Sequence, residues 1–177
     1  MSVLAELSKK QFAAAVKVAR GTELEFIALE QGHTDLSESF VDRGRKMAHV
    51  DLQYHRKVKV FRPDARTLRT RMSFKLVGQD ASSVKKPPFF TIRSVFVVQY
   101  QLPEKIEVSQ AECQSFADAN GVLNCWPYWR EFIQSSVARM GLPPLTVPFF
   151  KVRQKQEPEV ARGEKTKPRA ELTEGKK

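Results

Sequence analysis

Cysteine, histidine and long apolar runs are all scarce in this chain. Two cysteines occur, Cys113 and Cys125, with no CxxC pair and no Cys/His cluster. That composition excludes a disulfide framework, and both thiols are expected to be free. His33, His49 and His55 are too scattered to suggest a metal site. No apolar run approaches the roughly 18 residues of a membrane span. The start, Met1-Ser2-Val3-Leu4-Ala5-Glu6, lacks the basic-then-apolar pattern of a secretory signal, so the expected compartment is the cytoplasm. Neither a phosphate-cradling Gly-rich loop nor HExxH is present. GxSxG is missing as well. Carboxylates are sparse in the apolar segments, which argues against a paired-acid site. Cys113 would need a histidine beside it to act as a nucleophile, and nothing places one there; a buried structural thiol is the stronger reading. The expectation is a protein that is not an enzyme and needs no metal or cofactor.

What the chain does have is bulk, aromatic residues and uneven charge. Its 177 residues suit one domain, large enough to need no covalent staples. The net charge of +10 is concentrated: residues 43–93 hold fourteen Lys and Arg against Asp51, Asp64 and Asp80. Such a field favours an acidic partner, whether nucleic acid, an anionic surface or an acidic protein. A solvated sheet face accounts for it equally well.

Apolar spacing predicts an N-terminal amphipathic helix over residues 3–19, stopped by Gly21. Residues 22–31 suit a first strand with Leu24, Phe26 and Ala28 on one side, although Glu, Leu and Ala leave a helix open there. Residues 48–61 and 66–77 alternate with period two and are joined by the turn Arg62-Pro63-Asp64-Ala65. Their wet face is basic. Residues 89–102 are apolar on both sides, so that strand is expected to be covered on both faces. Ser109 with Glu112 three residues on has capping-box spacing. Trp126, Trp129, Phe132, Ile133, Val137 and Met140 then recur at helical spacing until Gly141 and Pro143-Pro144 end the helix. Phe149 and Phe150 follow, and their apolar surplus suggests a surface or an oligomer contact. The expected layout is a helix at 1–20, an α+β domain at 21–150 and a disordered, mildly basic tail at 151–177.

Two stretches carry a resemblance. Asn124-Cys125-Trp126-Pro127-Tyr128-Trp129-Arg130-Glu131-Phe132, followed by Gly141-Leu142-Pro143-Pro144-Leu145, resembles the helix start and Pro-Pro break of SecB-like chaperones. Val50-Asp51-Leu52 is similar to the family's alternating second strand. The order of elements agrees over about residues 20–150, and the N-terminal helix is closer to the toxin–antitoxin-associated branch. The resemblance implies a four-stranded antiparallel sheet with C-terminal helices on one side. It implies an ATP-independent holdase, assembled as a dimer of dimers, that binds unfolded polypeptides. It also implies a client groove lined by Val50, Leu52, Tyr54, Trp126, Trp129, Phe132, Leu142 and Leu145. For each of these residues, core or subunit-interface packing remains an open alternative.

Export members of that family engage the SecA translocase motor through carboxylates on the sheet face. Here the matching face is expected to carry Arg69, Arg71, Lys75 and Arg93, with Glu23 and Glu25 its only acids. Opposite charge would turn that attraction into repulsion. An acidic client or an antitoxin segment is the expected partner instead. A basic nucleic-acid-binding sheet is the rival and weaker reading.

Overall fold

Strict alternation of apolar and polar residues builds the centre of the molecule. The computed structural model describes residues 3–42, 50–81 and 87–155. In chain order they form β1 (Val3–Leu7), α1 (Lys9–Ala19), β2 (Glu23–Leu36), α2 (Glu38–Asp42), β3 (Val50–Phe61) and β4 (Thr67–Asp80). Then come β5 (Phe90–Gln101), α3 (Gln110–Phe116), a π-helical turn (Ala117–Gly121), α4 (Val122–Arg139) and β6 (Phe150–Gln154). The main sheet is four-stranded and antiparallel, in the order β2-β5-β4-β3. Leu68, Met72, Phe74 and Leu76 of β4 and Phe90, Ile92, Phe96, Val98 and Tyr100 of β5 are buried beneath the helices. The expected α+β class, sheet and C-terminal helices are all present.

β4 runs to Asp80, past the expected end at residue 77. Gly78 lets it do so, because the ring of Phe90 lies directly over the place where a Cβ would stand. The β3–β4 turn is closed by Asp64, whose Oδ1 accepts from the amides of Arg66 (2.8 Å) and Thr67 (2.7 Å). α4 buries Val122, Cys125, Trp126, Trp129, Ile133, Ser136 and Val137, one stripe at spacings of three and four. Gly141 stops it at φ 65°, a left-handed position that favours glycine.

Several expectations are corrected. Residues 3–7 are a strand, not the start of a helix: β1 pairs in parallel with β6, from Val3 opposite Phe150 to Leu7 opposite Gln154. The helix begins only after Ser8, whose side chain forms a capping box with Gln11. Residues 150–154 are therefore ordered into a strand; the rest of the expected tail, 156–177, lies outside the described residues, as do Ala48 and His49. The first strand is longer than expected and does not alternate uniformly. Register shifts between Leu24 and Phe26 and between Leu29 and Gln31 reverse its parity. Leu24, Ile27 and Leu29 thus share the helix side, and Phe26 and Ala28 face the other way. Finally, β5 is not fully covered on its second face: Thr91 there is buried, but Val95 and Val97 are half-buried and Arg93 is exposed.

α3 is tied to the N-terminal helix through its cap. The Ser109 amide donates to Glu112 Oε2 at 2.8 Å, and Lys17 Nζ donates to Glu112 Oε1 at 2.8 Å. The Lys17 ammonium first, and the Ser109 amide second, hold the Glu112 carboxyl down at about 2. A carboxyl depressed in the fold adds stability above its unfolded value, and that stability is lost as pH falls through the folded one. Glu112→Gln is therefore expected to lower the melting temperature near neutral pH, with the gap from the parent closing as acid approaches pH about 2. Thermal denaturation across that window checks it; a pH-independent gap would assign the loss to the cap geometry alone.

Candidate functional site

The aromatic helix start of α4 packs inward. Trp129, 1% exposed, stacks on Phe74 with centroids 5.0 Å apart and receives the edge of Tyr54 at 6.0 Å. Trp126 lies 4.5 Å from Trp129 and 5.2 Å from Phe150. Leu142 is also buried. Three of the eight residues expected to line a groove are thus core, and they are not available as an open lining in this conformation. Their physical role is to seat the chain that follows. Trp126 Nε1 donates to the Pro148 carbonyl at 2.9 Å, and Leu142 and Val147 plug into the core. Residues 142–149 are thereby pinned to the core, with prolines at 143, 144 and 148 limiting their freedom.

What stays partly open is a narrower apolar strip along β3, with two half-buried side chains from other elements. Leu52 and Tyr54 of β3, Leu145 of the pinned segment and Phe132 of α4 are half-buried and pack against the core. Phe132 stands apart from the others, at 6.4 Å from Phe96 on the β2–β5 side. Val50 begins β3 opposite Asp80, and its side chain lies outside the described residues. β3 is an edge of the four-stranded sheet, so one row of its backbone groups has no strand beside it within that sheet. Arg56 interrupts the strip. Its guanidinium sits 4.8 Å over the Phe150 ring and faces Asp118 of the π-turn. Burial lowers the Arg56 pKa, and burial raises that of Asp118.

Sequence reasoning missed a second set of apolar side chains. Leu24 and Leu29 on β2 and Leu123 and Tyr128 on α4 are all exposed. Of the two phenylalanines expected at a surface or contact, Phe149 is exposed with its ring under Arg130 at 4.7 Å, whereas Phe150 is buried. The bulges hid the first pair, because uniform alternation splits Leu24 from Leu29.

The opposite face of the sheet is the basic one, and Arg69, Arg71, Lys75 and Arg93 all lie on it. Most are engaged. Arg69 donates to Gln99 Oε1 at 3.0 and 2.6 Å, and Gln99 in turn donates to Glu25 at 2.6 Å. Arg71 meets Glu30 at 2.5 Å, and Arg93 lies 3.7 Å from Asp35. Glu23 stands opposite Gln101 at the start of β2. Glu30 and Asp35 therefore join Glu23 and Glu25 as acids on the β2 margin of the face, where two had been expected. The two thiols lie elsewhere: burial raises the pKa of Cys113 and pushes that of Cys125 up to about 12, which disfavours the thiolate.

Comparison with solved structures identifies this arrangement. One match is the SecB-like chaperone of Mycobacterium tuberculosis in complex with a ChAD peptide from the HigA1 antitoxin: TM-score 0.61 and 18% identity, covering 81% of this chain and 98% of that one. The chain has a SecB-like fold. A protein of unknown function from Streptococcus agalactiae overlaps more loosely, with a TM-score of 0.37 at 12% identity over 72% of this chain and 97% of that one. No protein-family model matches the chain, and no curated protein matches it by sequence. No helix among the described residues is long and apolar enough to cross a membrane.

Proposed function

We propose that this chain is an ATP-independent holdase that captures extended segments of unfolded polypeptide. The observation that carries the reading is the half-open apolar strip of Leu52 and Tyr54 on the β3 edge strand, with Leu145 half-buried on the segment after α4. Burial of client side chains there contributes about 25 cal/mol per Å² without demanding a particular sequence. Free backbone groups of β3 can add hydrogen bonds to an extended strand. Binding of this kind uses no covalent chemistry, metal or cofactor, and the protein is not an enzyme on this reading. The likeness of fold to a chaperone bound to an antitoxin peptide supports a second, narrower form, in which the client is an antitoxin segment. On either form the working unit contains at least two copies, joined along β2, where Leu24 and Leu29 are exposed.

The test is suppression of light scattering from a denatured client at stoichiometric ratios, without ATP. Capture is expected from the parent. It should fall by about tenfold in Leu52→Asp/Leu145→Asp, whose two charges would have to be desolvated on client binding. Absence of suppression at every ratio overturns the holdase reading. Co-purification with one small toxin–antitoxin pair, and indifference to other clients, would select the narrower form.

A further inference from the structure

The four strands bring one cationic or cationisable side chain each into a single line across the open face of the sheet. Register places His33 of β2 opposite Arg93 of β5, Arg93 opposite Lys75 of β4, and Lys75 opposite His55 of β3. Residues paired in this way point to the same face, with Cβ atoms roughly 4.5–5.5 Å apart. The line crosses three strand intervals, a width of roughly 14 Å. Like charges directly opposite one another destabilise a sheet, and Arg93 and Lys75 stand so at the middle of the row, a local cost that the fold alone does not require.

Among the described residues, one carboxylate meets the row. Asp35 Oδ1 lies 2.8 Å from His33 Nε2, and its Oδ2 lies 3.7 Å from Arg93. That interaction serves the β2 end. At the other end Lys75 and His55 have no carboxylate partner among the described residues, and neither has Lys57, one row along on β3. These side chains line an open depression of about 340 Å³, together with Gln31, Ser73 and Val95. Uncompensated charge therefore lies on β3 and β4 at Lys57 and Lys75 and continues along β3 to Lys59, whereas Arg71 is paired with Glu30 and Arg69 reaches Glu25 only through the Gln99 amide.

We propose that this depression docks an acidic polypeptide segment, one that presents several carboxylates in succession. Such a segment supplies the counter-charge that the row lacks, and the aliphatic stems of its Glu side chains can lie over Val95. Nucleic acid is the poorer fit. Its bases need aromatic faces near the phosphate contacts. Phe26 and Phe61, the aromatics of this face, share the row of Gln99 and Arg69, three rows away, and Arg71 already sits 5.6 Å over the Phe61 ring. The site recognises charge and is separate from the apolar strip, so it does not depend on the holdase reading.

The experiment uses the full chain and a fluorescent oligoglutamate peptide, with oligothymidylate as the competing polyanion. Saturable binding of oligoglutamate is expected, weakened on the order of tenfold or more by Lys75→Glu and by Lys57→Glu. Arg69→Gln, several rows distant, should leave it within about twofold, since exposed charges beyond roughly 10 Å are screened at ordinary salt. Lys57 lies exposed on an edge strand, so its variant tests the site even where Lys75→Glu does not fold. Suppression of aggregation of an uncharged client should be unchanged in both, which separates failure of this site from failure of the holdase. Oligoglutamate binding that is absent, or indifferent to both reversals, overturns the proposal. So does tighter binding of oligothymidylate with the same sensitivity, which would make the face a nucleic-acid site.

Discussion

Trp129→Ala is expected to cost about 3–5 kcal/mol of folding stability, the range for truncating a large buried aromatic. Trp129 is enclosed by Phe74 of β4, Tyr54 of β3 and Trp126 of its own helix. Its removal opens a cavity where α4, β3 and β4 meet. The neighbours cannot close it cheaply. Phe74 is also edge-on to Phe96 and to Trp126, and Trp126 is held by its hydrogen bond to Pro148. Domains of this size are stable by only about 5–15 kcal/mol in total, so the variant should sit near the edge of folding. Urea denaturation followed by circular dichroism reads the loss directly. The same variant separates core from groove. A surface tryptophan would lose client capture with little change in the denaturation midpoint. Trp129 should show a large fall in midpoint, with capture failing only where the fold fails. Leu145→Ala is the complement, because Leu145 is half-buried on the pinned segment and its truncation should spare the midpoint by comparison.

The ambiguity that this pair of variants resolves was already present in the sequence. Helical spacing shows that Trp126, Trp129, Phe132 and Ile133 share a stripe, but not whether that stripe meets the chain's own sheet or a client. Elements defined by local chemistry were legible. The Ser109 cap, the Arg62-Pro63-Asp64-Ala65 turn, the stop at Gly141 and the alternation of β3 and β4 all lie where local rules put them. Elements defined by distant partners were not. Val3–Leu7 is a strand because Phe150–Gln154 lies beside it, a pairing with no local signature. The Ser8-Gln11 capping box was readable, yet apolar spacing carried the helix straight through it. Two bulges in β2 hid the shared face of Leu24 and Leu29. Arg56 adds to the positive charge of residues 43–93, yet its guanidinium turns inward over Phe150.

Those bulges lead to the second large effect, which concerns assembly. On the proposed assembly along β2, Leu29→Asp is expected to convert the protein from a dimer or higher species to a monomer. β2 is the other edge of the sheet, fourteen residues long, with most of its side chains exposed on both faces. A long edge with exposed leucines invites pairing with another chain. Two copies meeting there about a two-fold axis would use the same patch on each subunit. Every Leu29 then has a symmetry mate in the same seam, so one substitution introduces two carboxylates. Desolvating an unpaired charge costs several kcal/mol, and two of them would raise the dimer dissociation constant by orders of magnitude. The isolated chain should tolerate the change, because Leu29 is 48% exposed within it. Native mass measurement, paired with a melting curve at a concentration where the parent is monomeric, checks both halves. A parent that is itself monomeric at high concentration would remove the assembly, whereas an oligomer that survives Leu29→Asp would move the seam from β2 to the exposed Leu123 and Tyr128 of α4.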